Sequence, residues 1–122
     1  MVRVLVLEDN TDLGELLGEM LLAAGADSCV IVATVADLHR REVEALRCEL
    51  AILDINLGPG QPSGVDACRW LLARRFRGKI VFLTGHAASH PLVLEAAKIA
   101  QASIFMKPLS PVRLAELVQE RR

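Results

Sequence analysis

A chain of 122 residues, 52% of them hydrophobic, is sized for a single domain, 1–122, that buries about two-thirds of its unfolded surface in one core. Its formal net charge of −1 excludes a general electrostatic pull toward nucleic acid or anionic membrane, so direct nucleic-acid binding by this chain is not expected. No apolar run approaches the roughly 20 residues of a membrane span, and Met1-Val2-Arg3-Val4 enters a strand pattern rather than a signal peptide, which predicts a cytosolic protein.

Taken in chain order, Val2–Leu7 is the first strand. Leu13, Leu16, Leu17, Met20 and Ala24 then recur at helical spacing, with Asn10 or Thr11 placed to cap the start and Gly25 the end. The second strand is expected near Cys29–Ala33. Thr34 and Asp37 have the spacing of a capping box that opens a helix with Val35, Leu38 and Leu46 inward and Arg40, Arg41, Glu42 and Glu44 outward. The third strand, Leu50–Leu53, delivers Asp54, and Gly58-Pro59-Gly60-Gln61-Pro62-Ser63-Gly64 must be a loop because its Pro and Gly residues break either regular pattern.

Val65, Cys68, Leu71, Leu72 and Phe76 mark the next helix, and Lys79–Leu83 the fourth strand, followed by Thr84. Pro91 suits a first helical position, so the fourth helix is predicted over Leu92 to Ala100. Ser103–Met106 is the fifth strand, leading to Lys107-Pro108. Ser110 and Pro111 open the last helix, with Leu114, Leu117 and Val118 inward. The chain ends about a turn later, so any output is expected to pass through its own surface. Cys29, Cys48 and Cys68 lack paired metal-ligand spacing and read as free thiols without assigned chemistry.

Strand-length runs alternating with helices predict a doubly wound α/β fold with a five-stranded parallel sheet. In such a sheet the strand ends converge on one edge, where ligands bind. Glu8, Asp9, Asp54, Thr84 and Lys107 all follow strands and so meet there. Three acids in one place repel unless a cation intervenes, and Mg²⁺ takes hard oxygen ligands while keeping several waters. Lys107 offers a compact charge and Thr84 a hydroxyl for phosphoryl oxygens, and an aspartyl nucleophile would yield an acyl phosphate.

With these residues in hand, the chain resembles the receiver domain of two-component response regulators over essentially its whole length. The resemblance implies strand order 2-1-3-4-5 in a (βα)5 flavodoxin-like fold, and a cis peptide before Pro108. It implies that Asp54 is the phosphoacceptor and that Glu8, Asp9, Asp54 and the Asn56 backbone carbonyl form the Mg²⁺ site, with Thr84 and Lys107 sensing the phosphate. A histidine kinase or histidine phosphotransfer protein would donate the phosphoryl group. A downstream protein would read the face made by the fourth helix, fifth strand and fifth helix, and a homodimer is left open.

Several positions depart from the family pattern. Ile104 stands where an aromatic switch residue is usual, and strand alternation turns the neighbouring Phe105 to the opposite face. The loop after Asp54 carries about two extra residues, a change that surface loops tolerate at small entropic cost. The charged pairs of the dimer face found in many DNA-binding members are not evident around Ala102-Ser103, which points away from that subclass. His86 and Asn56 occupy places where the family tunes phosphate lifetime, and His86 is expected to affect water access; His39 and His90 read as structural or solvated.

Two other functions compete with a phosphorylation switch. A Mg-dependent aspartyl-phosphate phosphohydrolase also uses a strand-end Asp, Thr or Ser and Lys, but usually has a second acid where this chain has Asn56. A phosphorylation-independent scaffold is the other, against which the intact acid, hydroxyl and lysine set counts. A flavin-binding domain fits poorly because aromatic content is 3%.

Overall fold

The computed structural model describes residues 1–122. The sheet consists of β1 (Arg3–Leu7), β2 (Ser28–Val32), β3 (Leu50–Asp54), β4 (Lys79–Thr84) and β5 (Ala102–Met106), all parallel, in the order β2-β1-β3-β4-β5. Every residue of β3 is buried, as required of a central strand covered on both faces. Six helices connect and cover the sheet: α1 (Thr11–Ala23), α2 (Val35–Arg40), α3 (Glu42–Leu46), α4 (Gly64–Ala73), α5 (Pro91–Ala97) and α6 (Pro111–Glu120).

Period-two alternation divides the apolar strand residues between two cores. Val4, Val6, Leu50, Ile52, Val81 and Leu83 face α1 and α6 through Leu17, Leu21, Leu114, Leu117 and Val118. Leu5, Leu7, Ala51, Leu53, Ile80 and Phe82 face the opposite helices through Leu38, Cys68, Leu71, Val93 and Ala96. Ile104 packs against this second core and Phe105 against the first, so the two point to opposite faces as strand alternation requires. The sheet is thereby fixed from both sides, and its strand ends are rigid platforms.

Local signals explain most boundaries. Asn10 caps α1 by accepting from the Leu13 N–H, and Gly25, at φ 107°, closes it. The Ala26 N–H returns to the Leu21 carbonyl and the Gly25 N–H to that of Leu22, a Schellman ending that needs a left-handed residue. Ser110 and Pro111 open α6, and His90 and Pro91 open α5. The Lys107–Pro108 bond is cis.

Four expectations need correction. The α1 stripe is centred on Gly14, Leu17, Gly18 and Leu21, while Leu16 is half exposed; the two glycines let Ile31 approach, since a Cβ on Gly18 would come 2.7 Å from it. The second helix is two helices, broken at Arg41, whose φ of −111° and ψ of 32° leave the helical basin. The break rotates α3 so that Ala45 is buried, with Leu46 only partly so. Thr34 caps α2 through the Asp37 N–H, but Asp37 pairs with Arg40 and does not complete a box. The fourth predicted helix ends at Ala97, where Lys98 caps it, and not at Ala100.

Candidate functional site

β1, β3, β4 and β5 deliver their carboxyl ends to one edge of the sheet. In register, Leu7 pairs with Leu53, Asp54 with Leu83, and Thr84 with Met106, so residues 8, 54, 84 and 107 fall in adjacent columns. The Glu8 N–H donates to the Val32 carbonyl (3.0 Å), the Ile55 N–H to that of Leu83 (3.0 Å), and the Lys107 N–H to that of Thr84 (2.8 Å). These bonds continue the ladder past the strands and fix the backbone of the site.

Glu8, Asp54 and Thr84 are 2%, 5% and 1% exposed, and with Ser63 they are the only buried polar residues of the chain. Buried charge requires a partner. Lys107 provides it, its Nζ lying 3.0 Å from Glu8 Oε1 and 3.0 Å from Asp54 Oδ2. Burial acts against its charged form, but the hydrogen bonds and charges of Asp54 and Glu8 outweigh that, and its pKa is raised.

A third carboxylate remains. Ligand oxygens of Glu8, Asp9 and Asp54 lie within 4.8 Å of one another, and Asp9 is at the exposed side of the cluster. Its pKa is raised by a hydrogen bond with Glu8, by partial desolvation and by the Glu8 charge. One lysine therefore does not satisfy three acids, and the donor set of hard oxygens fits a divalent cation such as Mg²⁺.

The β3–α4 loop is tied tightly to the end of β3. Ser63 and Asp66 form the reciprocal capping box of α4, and the Gly64 N–H donates to the Ile55 carbonyl at 2.8 Å. A Cβ on Gly64 would come 2.1 Å from the Asp54 carbonyl oxygen. This loop, read in sequence only as Pro- and Gly-broken, thus packs its backbone against Asp54. The Ser-Gly-Val-Asp spacing of a capping box was the available signal.

Further contacts were not legible in the sequence. The Gly58 N–H donates to Asn56 Oδ1 (3.0 Å), which turns the Asn56 amide nitrogen to His86 Nε2 (3.0 Å). His86 stacks on His90 with ring centroids 4.3 Å apart, and His90 Nδ1 accepts from the Leu92 N–H. The His86 N–H also donates to Thr84 Oγ1 at 2.9 Å, leaving the hydroxyl proton free to donate. His39, read as structural or solvated, is exposed yet stacks on Trp70 with ring centroids 4.6 Å apart. The three cysteines are free: Cys48 and Cys68 are buried, and burial pushes their thiols up to about 12 and about 11, beyond ordinary thiolate chemistry.

With this geometry established, residues 4–119 match the response regulator receiver domain family. The chain is 36% identical over 119 residues to the DNA-binding response regulator MtrA of Mycobacterium tuberculosis, covering 98% of this chain and 50% of that protein. The M. smegmatis protein of the same name is 35% identical over the same span. The chain therefore spans about half the length of the curated relatives it matches.

Among solved structures, a signal receiver domain from Vibrio parahaemolyticus superposes with a TM-score of 0.79 at 25% identity, covering 98% of this chain and 88% of that one. A CheY-like receiver domain from Methanospirillum hungatei JF-1 gives 0.82 at 24%, covering 99% and 93%. No helix is long and apolar enough to cross a membrane.

Proposed function

The chain belongs to the response regulator receiver domain family, and on that premise we propose that Asp54 is the phosphoacceptor of its two-component switch. The observation that carries this assignment is the Lys107 ammonium, held 3.0 Å from both Asp54 and Glu8 at the end of a fully buried strand. A carboxylate so placed is rigid and next to a positive charge. Phosphoryl transfer depends mainly on such alignment and charge stabilisation.

In the proposed reaction an Asp54 carboxylate oxygen attacks the phosphorus of a phosphohistidine on a histidine kinase or phosphotransfer protein. The new O–P bond forms as the N–P bond breaks, and the imidazole leaves with the electron pair. Lys107 moves its contact from Glu8 or Asp54 to a phosphoryl oxygen, and the Thr84 hydroxyl donates to another. Glu8, Asp9 and Asp54, with the Asn56 carbonyl, would hold Mg²⁺, whose charge neutralises the incoming phosphoryl oxygens. His86, fixed by Asn56 and His90, screens the acyl phosphate from water.

The domain is regulatory in this reading, acting chemically only on its own phosphate. Phosphorylation adds charge and acceptor oxygens at a site shared by four strand ends, and the pull on Thr84 and Lys107 is transmitted to α5, β5 and α6, where a downstream protein docks. A cytoplasmic location is part of this reading. The whole protein's output, including any DNA binding of the kind named in the longer relatives, would lie beyond this domain.

The test is intact mass after incubation with Mg²⁺ and a small phosphodonor. One labile phosphate is expected, absent in Asp54→Asn and lost at a changed rate in His86→Ala. Turnover of many equivalents favours the hydrolase, and no uptake favours the scaffold.

A further inference from the structure

The opposite, amino edge of the sheet lies about 16 Å from the acidic cluster by the rise of five-residue strands. There the chain forms a cleft of about 330 Å³. Backbone bonds tie its lining together: the Glu49 N–H donates to the Arg3 carbonyl at 2.9 Å, and the Lys79 N–H to the Glu49 carbonyl at 3.0 Å. Gly78 packs closely against the same segment, since a Cβ there would come 2.7 Å from the Glu49 carbonyl carbon and 2.8 Å from the Cys48 oxygen, which holds the lining rigidly in place.

Arg3, Arg47, Arg77 and Arg121 belong to that lining, with Glu49 its sole carboxylate. Glu49 is already occupied. Its two oxygens accept from the Arg3 backbone N–H, Nε and guanidinium nitrogen at 2.7, 3.2 and 2.7 Å. Elsewhere on the molecule Arg40, Arg41, Arg69, Arg74, Lys79 and Arg113 each reach a carboxylate. Arg47, Arg75, Arg77, Lys98, Arg121 and Arg122 form no ion pair, and three of them, Arg47, Arg77 and Arg121, converge on one concave site in a chain whose net charge is −1.

The guanidinium fork matches phosphate geometry and always carries its charge. Three free forks around a rigid lining suit an anion with several charged oxygens within a few ångströms. The apolar part of the lining is Leu46 and Cys48, and no aromatic ring is present, so nothing offers a nucleobase a stacking platform. We infer that this cleft binds a compact, multiply charged phosphate anion of the pyrophosphate or short-polyphosphate class. The site is separate from Asp54, and the inference goes beyond the phosphoacceptor reading and does not rest on it.

The experiment is a titration of the 122-residue chain with pyrophosphate at low salt and without divalent metal, followed by backbone amide NMR. Shifts are expected at residues 3, 47–49, 77–78 and 121, saturating below millimolar concentration and weakening as salt screens the charges. Arg77→Gln and Arg121→Gln should each weaken binding about tenfold, as loss of one charge-assisted contact does, while Asp54→Asn binds as the wild type does. All three free arginines are exposed, so these variants are expected to fold, and their amide spectra report it. Absence of shifts at millimolar pyrophosphate overturns the inference. So do shifts confined to residues 8, 54 and 107, or an unchanged affinity in the combined Arg47→Gln, Arg77→Gln, Arg121→Gln protein. Equal or tighter binding of a triglutamate peptide overturns the phosphate class.

Discussion

The two edges of the sheet are made by the same strands and held by the same cores, yet they treat charge in opposite ways. At the carboxyl edge, Glu8, Asp54 and Thr84 are buried, and one lysine is divided between two acids while a third acid is left over. At the amino edge, Glu49 is matched by Arg3 in a half-exposed pair, and the surplus arginines remain in solvent. Stability alone gives no reason to gather three carboxylates; an evenly matched pair such as Arg3–Glu49 would do. The imbalance at the carboxyl edge is the feature on which the proposed phosphoacceptor site rests.

The largest effects test whether the edges differ in function or only in packing. Gly64 and Gly78 occupy equivalent roles, each with its Cα pressed on the backbone at one end of β3. Gly64→Ala and Gly78→Ala should each cost about 3 kcal/mol, since the obstruction is main chain and cannot rotate away. Denaturant unfolding measures this. Phosphate uptake by the folded fraction should fall in Gly64→Ala and survive in Gly78→Ala; equal uptake in both would erase the distinction.

Next in size is Lys107→Ala, which leaves Glu8 and Asp54 buried without their counter-charge. A loss of about 2 kcal/mol is expected, below the full value for a buried pair because the lysine is 28% exposed. Added Mg²⁺ should restore part of that loss, as seen in the melting temperature. A variant as stable as the wild type would mean that Lys107 does not hold the acids together.

The smallest effects sharpen the comparison through pH. Asp9 is raised from its ordinary value by its hydrogen bond with Glu8, so it disfavours the fold when ionised; that cost is relieved as pH falls through its folded pKa. Glu49 is lowered by its hydrogen bond with Arg3, so it contributes stability above the ordinary carboxylate range, lost as pH falls through its folded pKa. Acid titration of melting temperature should therefore differ in opposite senses in Asp9→Asn and Glu49→Gln. Saturating Mg²⁺ should suppress the Asp9 contribution, because a cation bound among the three acids offsets the Glu8 charge that helps to raise it. Parallel behaviour of the two variants would refute the assignment of opposite electrostatic roles.

The strands were legible because each is an apolar run ended by a charged or hydroxyl residue, and Leu50-Ala51-Ile52-Leu53-Asp54 is the clearest case; their order came from the family resemblance. The expectation that Glu8, Asp54, Thr84 and Lys107 share one edge followed from parallel strands ending on the same side. What escaped depended on contacts between distant segments. The break at Arg41 changes the phase of α3 without a Pro or Gly to announce it. The displaced stripe of α1 depends on Ile31 entering the space left by Gly14 and Gly18, and glycines carry no weight in a hydrophobic pattern. The Asn56–His86–His90 chain joins two loops whose relative position only the sheet fixes. The arginines of the amino edge lie at four places in sequence, each of which reads as an ordinary solvated residue.

The most direct test of the acceptor assignment is chemical location of the phosphate. Borohydride reduces an aspartyl phosphate to homoserine, and peptide mass spectrometry of the protein phosphorylated in Mg²⁺ then reads its position. Homoserine at position 54 and nowhere else is the predicted result. Homoserine at position 9, or none in a protein whose mass shows a bound phosphate, would contradict it.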